Sequence, residues 1–237
     1  MSIQDINTTS SRNHYLDVAR GLRPDCSTFY LFGFNRSVDT AYETIWNDGG
    51  GVYVPPSSAV TLSLVSDDAA DTMDVEIIGL DAQYRQISDT VTLDGTNAVT
   101  SNVDFLRINS ARILSGSNAG DITISNGGTT YGFIEVGYGV TQTIHYTVPA
   151  GRSLYITQVD FTSGTVNSNK YLFARAKSVN SGVTQHFFES TFVTSQLSYD
   201  MQVPFRVPEK TDFSIQAKSS SGSNELSIFI NGILIDN

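Results

Sequence analysis

Groups that do chemistry are scarce in this chain. One cysteine, Cys26, and one tryptophan, Trp46, stand among 237 residues, with three widely spaced histidines, His14, His145 and His186. A lone cysteine excludes an intramolecular disulfide framework and a thiolate metal site. No Gly-x-Ser-x-Gly elbow, phosphate-cradling loop or His-Glu-x-x-His helix is present, so the common hydrolase, nucleotide-binding and metalloprotease signatures are missing. No run of about eighteen apolar residues occurs, and the first twenty residues lack the apolar core of a signal peptide. The expectation is a protein made in the cytoplasm, with no membrane partner. Charged residues make up only 16%, below the usual quarter or so.

Several features are abundant instead. The hydrophobic fraction is 40% and the aromatic fraction 11%, mostly Tyr and Phe, which is the composition of an ordered globular protein. The net charge of −10 is concentrated in the middle. Between Gly51 and Tyr138 three basic residues, Arg85, Arg107 and Arg112, face eleven acidic ones. An acidic module repels phosphate backbones, and no Lys/Arg cluster elsewhere compensates, so nucleic acid is excluded as a partner.

Short alternating runs separated by Gly/Asp/Asn/Ser turns fill the chain from about residue 60 onward. Strands are predicted at 60–65, 73–80, 84–93, 105–114, 121–125 and 131–136, then at 154–161, 171–177, 185–193, 197–203, 212–217 and 226–235. Turn chemistry of the Asp94-Gly95-Thr96-Asn97 kind separates them. The fold class expected is all-β: two antiparallel, jelly-roll-like β-sandwich modules preceded by an N-terminal extended arm. The boundaries are 1–56 for the arm and first strand, 57–138 for the acidic sandwich and 139–237 for the C-terminal sandwich. The aromatic run Phe29 to Phe34 is too apolar for a free tail. It is a strand of its own domain, or an arm that docks on a neighbour.

The candidate sites are few. Asp67, Asp68, Asp71 and Asp74 share one loop, read as a solvated acidic turn rather than a Ca²⁺ loop because the EF-hand glycine and closing glutamate are missing. Glu189 and Asp200 are the acids a glycosidase would need, but nothing in the sequence pairs them. His145 alternates with Thr143 and Thr147, which predicts an exposed ring. Tyr131, Tyr138, Tyr155 and Tyr199 are the rings least clearly assigned to core packing, and so the ones open to stacking on a host glycan. No catalytic residue, metal ligand or cofactor is expected, and the chain is read as a non-enzyme.

Six segments carry a resemblance: YLDVARG (15–21), WNDGGGVYVPPSSAVTLSLVS (46–66), VEIIGLDAQYRQISDTVTLDGTNAV (75–99), FLRINSARIL (105–114), YTVPAGRSLYI (146–156) and VPFRVPEKTDFSIQAKSSS (203–221). They resemble virion structural proteins of tailed bacteriophages, especially marine and cyanobacterial ones, with 75–114 the most specific block. The resemblance implies a β-rich virion component in many copies. It would be an exterior capsid decoration protein, or alternatively a tail or fibre-anchoring adaptor with host-glycan binding. Its partners would be other capsid or tail proteins and further copies of itself, a trimer being favoured. The residues expected to dock are Tyr15, Leu16, Val18, Arg20, Phe29, Tyr30, Phe32, Phe34 and Trp46.

Overall fold

The computed structural model describes residues 14–164 and 169–237. After a short helix α1 (His14–Ala19), every regular element is a strand. Eight strand positions build a jelly roll. Sheet I has the order β1 (Cys26–Val38), β16 (Asn224–Asp236), β11 (Arg152–Ser163), β14 (Gln196–Val207). Sheet II has the order β10 (His145–Thr147), β15 (Thr211–Ser219), β12 (Leu172–Asn180), β13 (Val183–Phe192), and the two-residue β2 (Glu43–Thr44) also pairs with β15. Successive strands therefore alternate between two facing antiparallel sheets, except at the β12–β13 hairpin, where both lie in sheet II, which is the jelly-roll plan. Phe161, Leu154, Ile228, Ile230, Phe213 and Ile215 form the core between them.

The jelly roll is interrupted in its second strand position. β2 pairs with Gln216 and Ala217 and β10 with residues 212–214, so both lie along the same edge of β15. Between them a second sandwich is inserted. Its sheet III has the order β6 (Val99–Phe105), β3 (Val60–Ser66), β8 (Ile122–Asn126), β9 (Thr129–Ile134), and its sheet IV the order β5 (Gln86–Thr92), β4 (Asp74–Leu80), β7 (Arg107–Ile113). Leu62, Leu64, Ile77, Phe105, Ile122 and Ile124 fill its separate core. Period-two burial in β3, β4 and β8 matches the alternation in their sequences.

The all-β class is as expected, and of the two readings of the aromatic run the strand holds and the arm does not: residues 26–44 belong to the jelly roll itself. β1 runs antiparallel to β16 from Cys26↔Ile235 to Val38↔Asn224, which makes the first strand a partner of the last. The cause is the pattern of β1 itself. Phe29 and Leu31 point into the core, and only a sheet formed with the Ile-rich β16 buries that face.

The insert is clamped to the jelly roll at several points. Ile144 N donates to Ile45 O (2.7 Å) and Asn47 N to Gln142 O (3.1 Å), while Trp46 and Thr143 form an antiparallel bridge, so the outgoing and returning chains pair as a stem. The Asn109 side chain donates to Thr147 O and accepts from Thr147 N, both at 2.9 Å, taking the place of a ladder neighbour for the edge strand β10. Arg107 Nε donates to Asp212 Oδ1 (2.7 Å) and Arg107 Nη2 to Asp212 Oδ2 (2.9 Å), joining β7 to β15. On the other side Arg36 of β1 pairs with Glu135 (2.6 Å). The edge of sheet II that would otherwise template aggregation is thus covered by the insert.

Candidate functional site: the outer face of sheet I

The residues that gather exposed apolar surface lie on β1 and the helix before it. α1 is capped by Gly21, two residues past its end, whose φ of 69° lets Gly21 N bond Val18 O (2.9 Å) and Leu22 N bond Asp17 O (2.9 Å). That cap turns the chain back toward β1. Val18 is buried beneath the helix, while Tyr15 and Leu16 are exposed.

From Thr28 to Arg36 of β1 the even-numbered side chains face outward, before a bulge turns Val38 into the core. Tyr30 is 62% exposed and lies over Phe229 of β16 with nearly parallel rings (centroids 6.2 Å, 15°). Phe32 follows, 40% exposed and 6.1 Å from Phe34. Phe34 is covered by Tyr138 of the insert (5.4 Å) and by the Arg36 guanidinium, 4.4 Å from the ring centre. The result is an aromatic stripe that is open at its Tyr30 end and closed by the insert at its Phe34 end. Beside it a groove of about 480 Å³ is lined by Tyr15, Tyr30, Gln158, Asn231 and the edge of β14.

Of the nine residues the sequence marks for docking, the structure brings Tyr15, Leu16, Tyr30 and Phe32 to the surface as apolar groups, with Arg20 exposed nearby. The other four are corrected. Val18, Phe29, Phe34 and Trp46 are buried within this chain, Phe29 against Tyr146 (4.8 Å) and Trp46 beside His145 (5.9 Å). Alternation explains the split within β1, since Phe29 lies on the opposite face from Tyr30 and Phe32. Phe229 and the second open edge, formed by β13 and β14, were not singled out by sequence. Phe229 sits among inward-facing isoleucines in an apolar run, and only its partner strand reveals that it faces out.

His145 is the largest correction. Its ring is buried, stacked face to face on Tyr53 (3.6 Å, 11°), with Nδ1 2.6 Å from Thr143 Oγ1. Burial pushes its pKa down to about 3, against a smaller opposing effect of a hydrogen bond with the Ile108 main chain. A neutral, fully packed ring is a structural element of the joint between modules. Burial works against the charge of Arg107, but the hydrogen bond to Asp212 and the charge of that carboxylate, with smaller contributions from Tyr84 and Tyr53, together outweigh it and hold the guanidinium above its ordinary pKa.

The acidic loop serves structure as well. Asp71 is buried, and its carboxylate accepts from Ala119 N (2.8 Å), Gly120 N (3.0 Å) and Ser66 Oγ (2.6 Å). Burial alone would raise its pKa, and these bonds lower it instead. Asp67 accepts from Asp121 N (2.7 Å). Among the described residues no group of three or more His, Cys, Asp or Glu is placed to hold a metal ion. Glu189 and Asp200 lie in different sheets, opposite Arg175 and Gln158 respectively.

No protein-family model matches the chain, and no curated protein matches it. Among solved structures, one of infectious bursal disease virus, Gx strain, aligns at 9% identity over 90% of this chain and 73% of that one, with a TM-score of 0.27. The VP2 subviral particle of infectious bursal disease virus aligns at 9% identity over 90% of this chain and 75% of that one, with a TM-score of 0.21. Likeness at that level carries no argument about fold or role.

Proposed function

We propose that this chain is a non-enzymatic structural protein of a tailed-phage virion. It is an exterior accessory subunit that adds to the capsid and assembles as a homo-oligomer, a trimer being the simplest closed ring. The observation that carries the reading is the outward aromatic stripe of Tyr30, Phe32 and Phe229 with Tyr15 and Leu16 alongside. Aromatic side chains bury about 150–250 Å² each and dominate interface energetics, so a cluster of them on one sheet face is suited to a partner surface. The acidic insert is clamped at the far end of the stripe and would be presented outward. The long edges of β13 and β14, each paired on one side only, supply main-chain groups for contact between copies. The sequence resemblance to phage virion proteins supports the same role.

The test is to count copies of the chain in purified virions and locate them by imaging with an antibody label. Hundreds of copies over the head support a decoration protein. A few to a few dozen at one vertex replace that position with a tail or fibre-anchoring one, and absence from the particle sinks the reading. The double substitution Tyr30→Ser with Phe32→Ser is expected to leave the fold intact and abolish addition to undecorated particles. Undiminished addition would rule out the stripe as the docking face.

A further inference from the structure

Between the free edges of β13 and β14 the two sheets of the jelly roll part around a cleft of about 440 Å³. The opening has its cause in the ladder of sheet I. Ile156 and Gln158 of β11 face Phe205 and Asp200 of β14, so residues 201–204 pass opposite the single residue Thr157 and have no ladder partner. They arch outward, leaving Val203 84% exposed. Pro204, which has no N–H to donate, suits an unpaired stretch of edge strand.

The arch gives access to the jelly-roll interior. The floor of the cleft is core, made by Ile156, Phe161, Phe213 and Ile215, all 1–2% exposed. One wall is Phe187 stacked on Phe205 (4.3 Å, 9°), and Phe188 meets Tyr199 edge to face (5.1 Å, 82°) in the other. The Tyr199 hydroxyl is already bonded to Ser190 Oγ (3.0 Å). Water inside would find almost nothing to bond, and an empty space of this size forfeits the contacts that a close-packed core makes. Apolar cavities of about 300–1,000 Å³ with one or a few polar groups are the ordinary form of a small-molecule site.

Charge selects among ligands. Asp200 is the one ionisable carboxylate lining the cleft, and it also lines the outer groove, which places it at the rim. Among the described residues its side chain has no hydrogen bond or ion pair. An anionic head would meet this carboxylate on a chain of net charge −10, whereas a neutral or cationic head would complement it.

We propose that this cleft binds a slender amphiphile. Its alkyl or aromatic body lies between the Phe187–Phe205 and Phe188–Tyr199 pairs, and its neutral or cationic head sits at Asp200. The proposal does not depend on the virion role.

Calorimetric titration of the full chain at neutral pH with dodecanol, dodecyltrimethylammonium and dodecanoate, each below its micellar or solubility limit, tests it. The first two are expected to bind in the micromolar range and dodecanoate about tenfold or more weaker. Asp200→Asn is expected to bring the cation and the anion within about twofold of each other and to leave dodecanol unchanged. Ala176→Leu, which fills the floor, is expected to weaken all binding about tenfold. Should that variant misfold, Met201→Trp plugs the mouth and gives the same reading. Failure of every probe to bind the folded wild type below millimolar concentration overturns the proposal, as does binding that survives both filling variants. Protection of 183–187 and 201–204 from hydrogen exchange on self-association, with no probe bound, also overturns it and assigns the cleft to a neighbouring copy.

Discussion

At the scale of single residues, the joint between the two modules is built from groups that read as surface in the sequence. His145 alternates with Thr143 and Thr147, and alternation says that these share a face without saying what covers it. What covers it is Tyr53, from the insert's first segment, so the ring meets another ring rather than water. The consequence can be measured through pH. The folded pKa of about 3 lies below the ordinary 6.5, so between those values the unfolded chain binds a proton that the folded one refuses. The stabilisation is fully present above about pH 6.5 and is lost as pH falls toward 3, at no more than about 1.4 kcal/mol per pH unit. Ring-proton chemical shifts are expected to show no titration of His145 between pH 8 and pH 5, while the unfolding midpoint falls over the lower part of that range. Substituting His145→Gln should flatten that fall, and a normal titration near 6.5 in the folded protein would refute the buried assignment. Asp71 follows the same direction in a lower window. Its folded pKa is held below the usual carboxylate value, so its contribution is complete above about pH 4 and is lost on further acidification.

At the scale of elements, most strands were legible because their side chains alternate and their turns carry Gly, Asn and Asp. β6 was not. Val99–Phe105, read as VTSNVDF, is too polar to stand out, and it is a strand because the edge of β3 gives it a ladder partner. The pairing of β1 with β16 was equally invisible, since alternation fixes a face and not a neighbour across some two hundred residues. One local clue was present in the aromatic run. Gly33 interrupts it because a Cβ there would lie 2.7 Å from the Thr143 carbonyl carbon of the stem. Gly33→Ala is expected to cost about 1–3 kcal/mol through overpacking, measurable as a lower denaturant midpoint. The ion pair between β7 and β15 should cost at least as much to break. Arg107 is 10% and Asp212 23% exposed in their side chains. Asp212→Asn removes the countercharge from a largely buried guanidinium and sets an amide N–H where Oδ2 accepts from Arg107 Nη2, a loss expected near 3 kcal/mol. An unchanged midpoint for that variant would mean that water reaches the pair.

At the scale of the whole molecule, the chain is a jelly roll whose second strand position is opened to admit another sandwich, so sequence order and domain order differ. Composition marked the acidic middle as distinct. It could not show that the segments on either side belong to one body, because that relation exists only in the pairing of β1 with β16 and of β2 and β10 with β15. The paired stem leads to a specific expectation. Trp46 and Thr143 are bridged, and Asn47 N reaches Gln142 O, so the two chain ends are already adjacent where the insert leaves. Replacing residues 48–141 by a short Gly/Ser turn should therefore give a jelly roll that still folds, because its core residues come from 29–45 and 144–234 alone. Its stability should fall, since the variant loses Tyr53 from the face of His145, the Arg107 partner of Asp212 and the Asn109 cap on β10. The signature is coupled. The shortened protein should keep a β-sheet circular dichroism spectrum and slow exchange in β11, β12 and β16, while His145 regains a titration near its ordinary 6.5 as water replaces Tyr53. A shortened chain that is unfolded would show instead that the insert is required to assemble the sheet edge it covers, and that the two sandwiches form one cooperative unit.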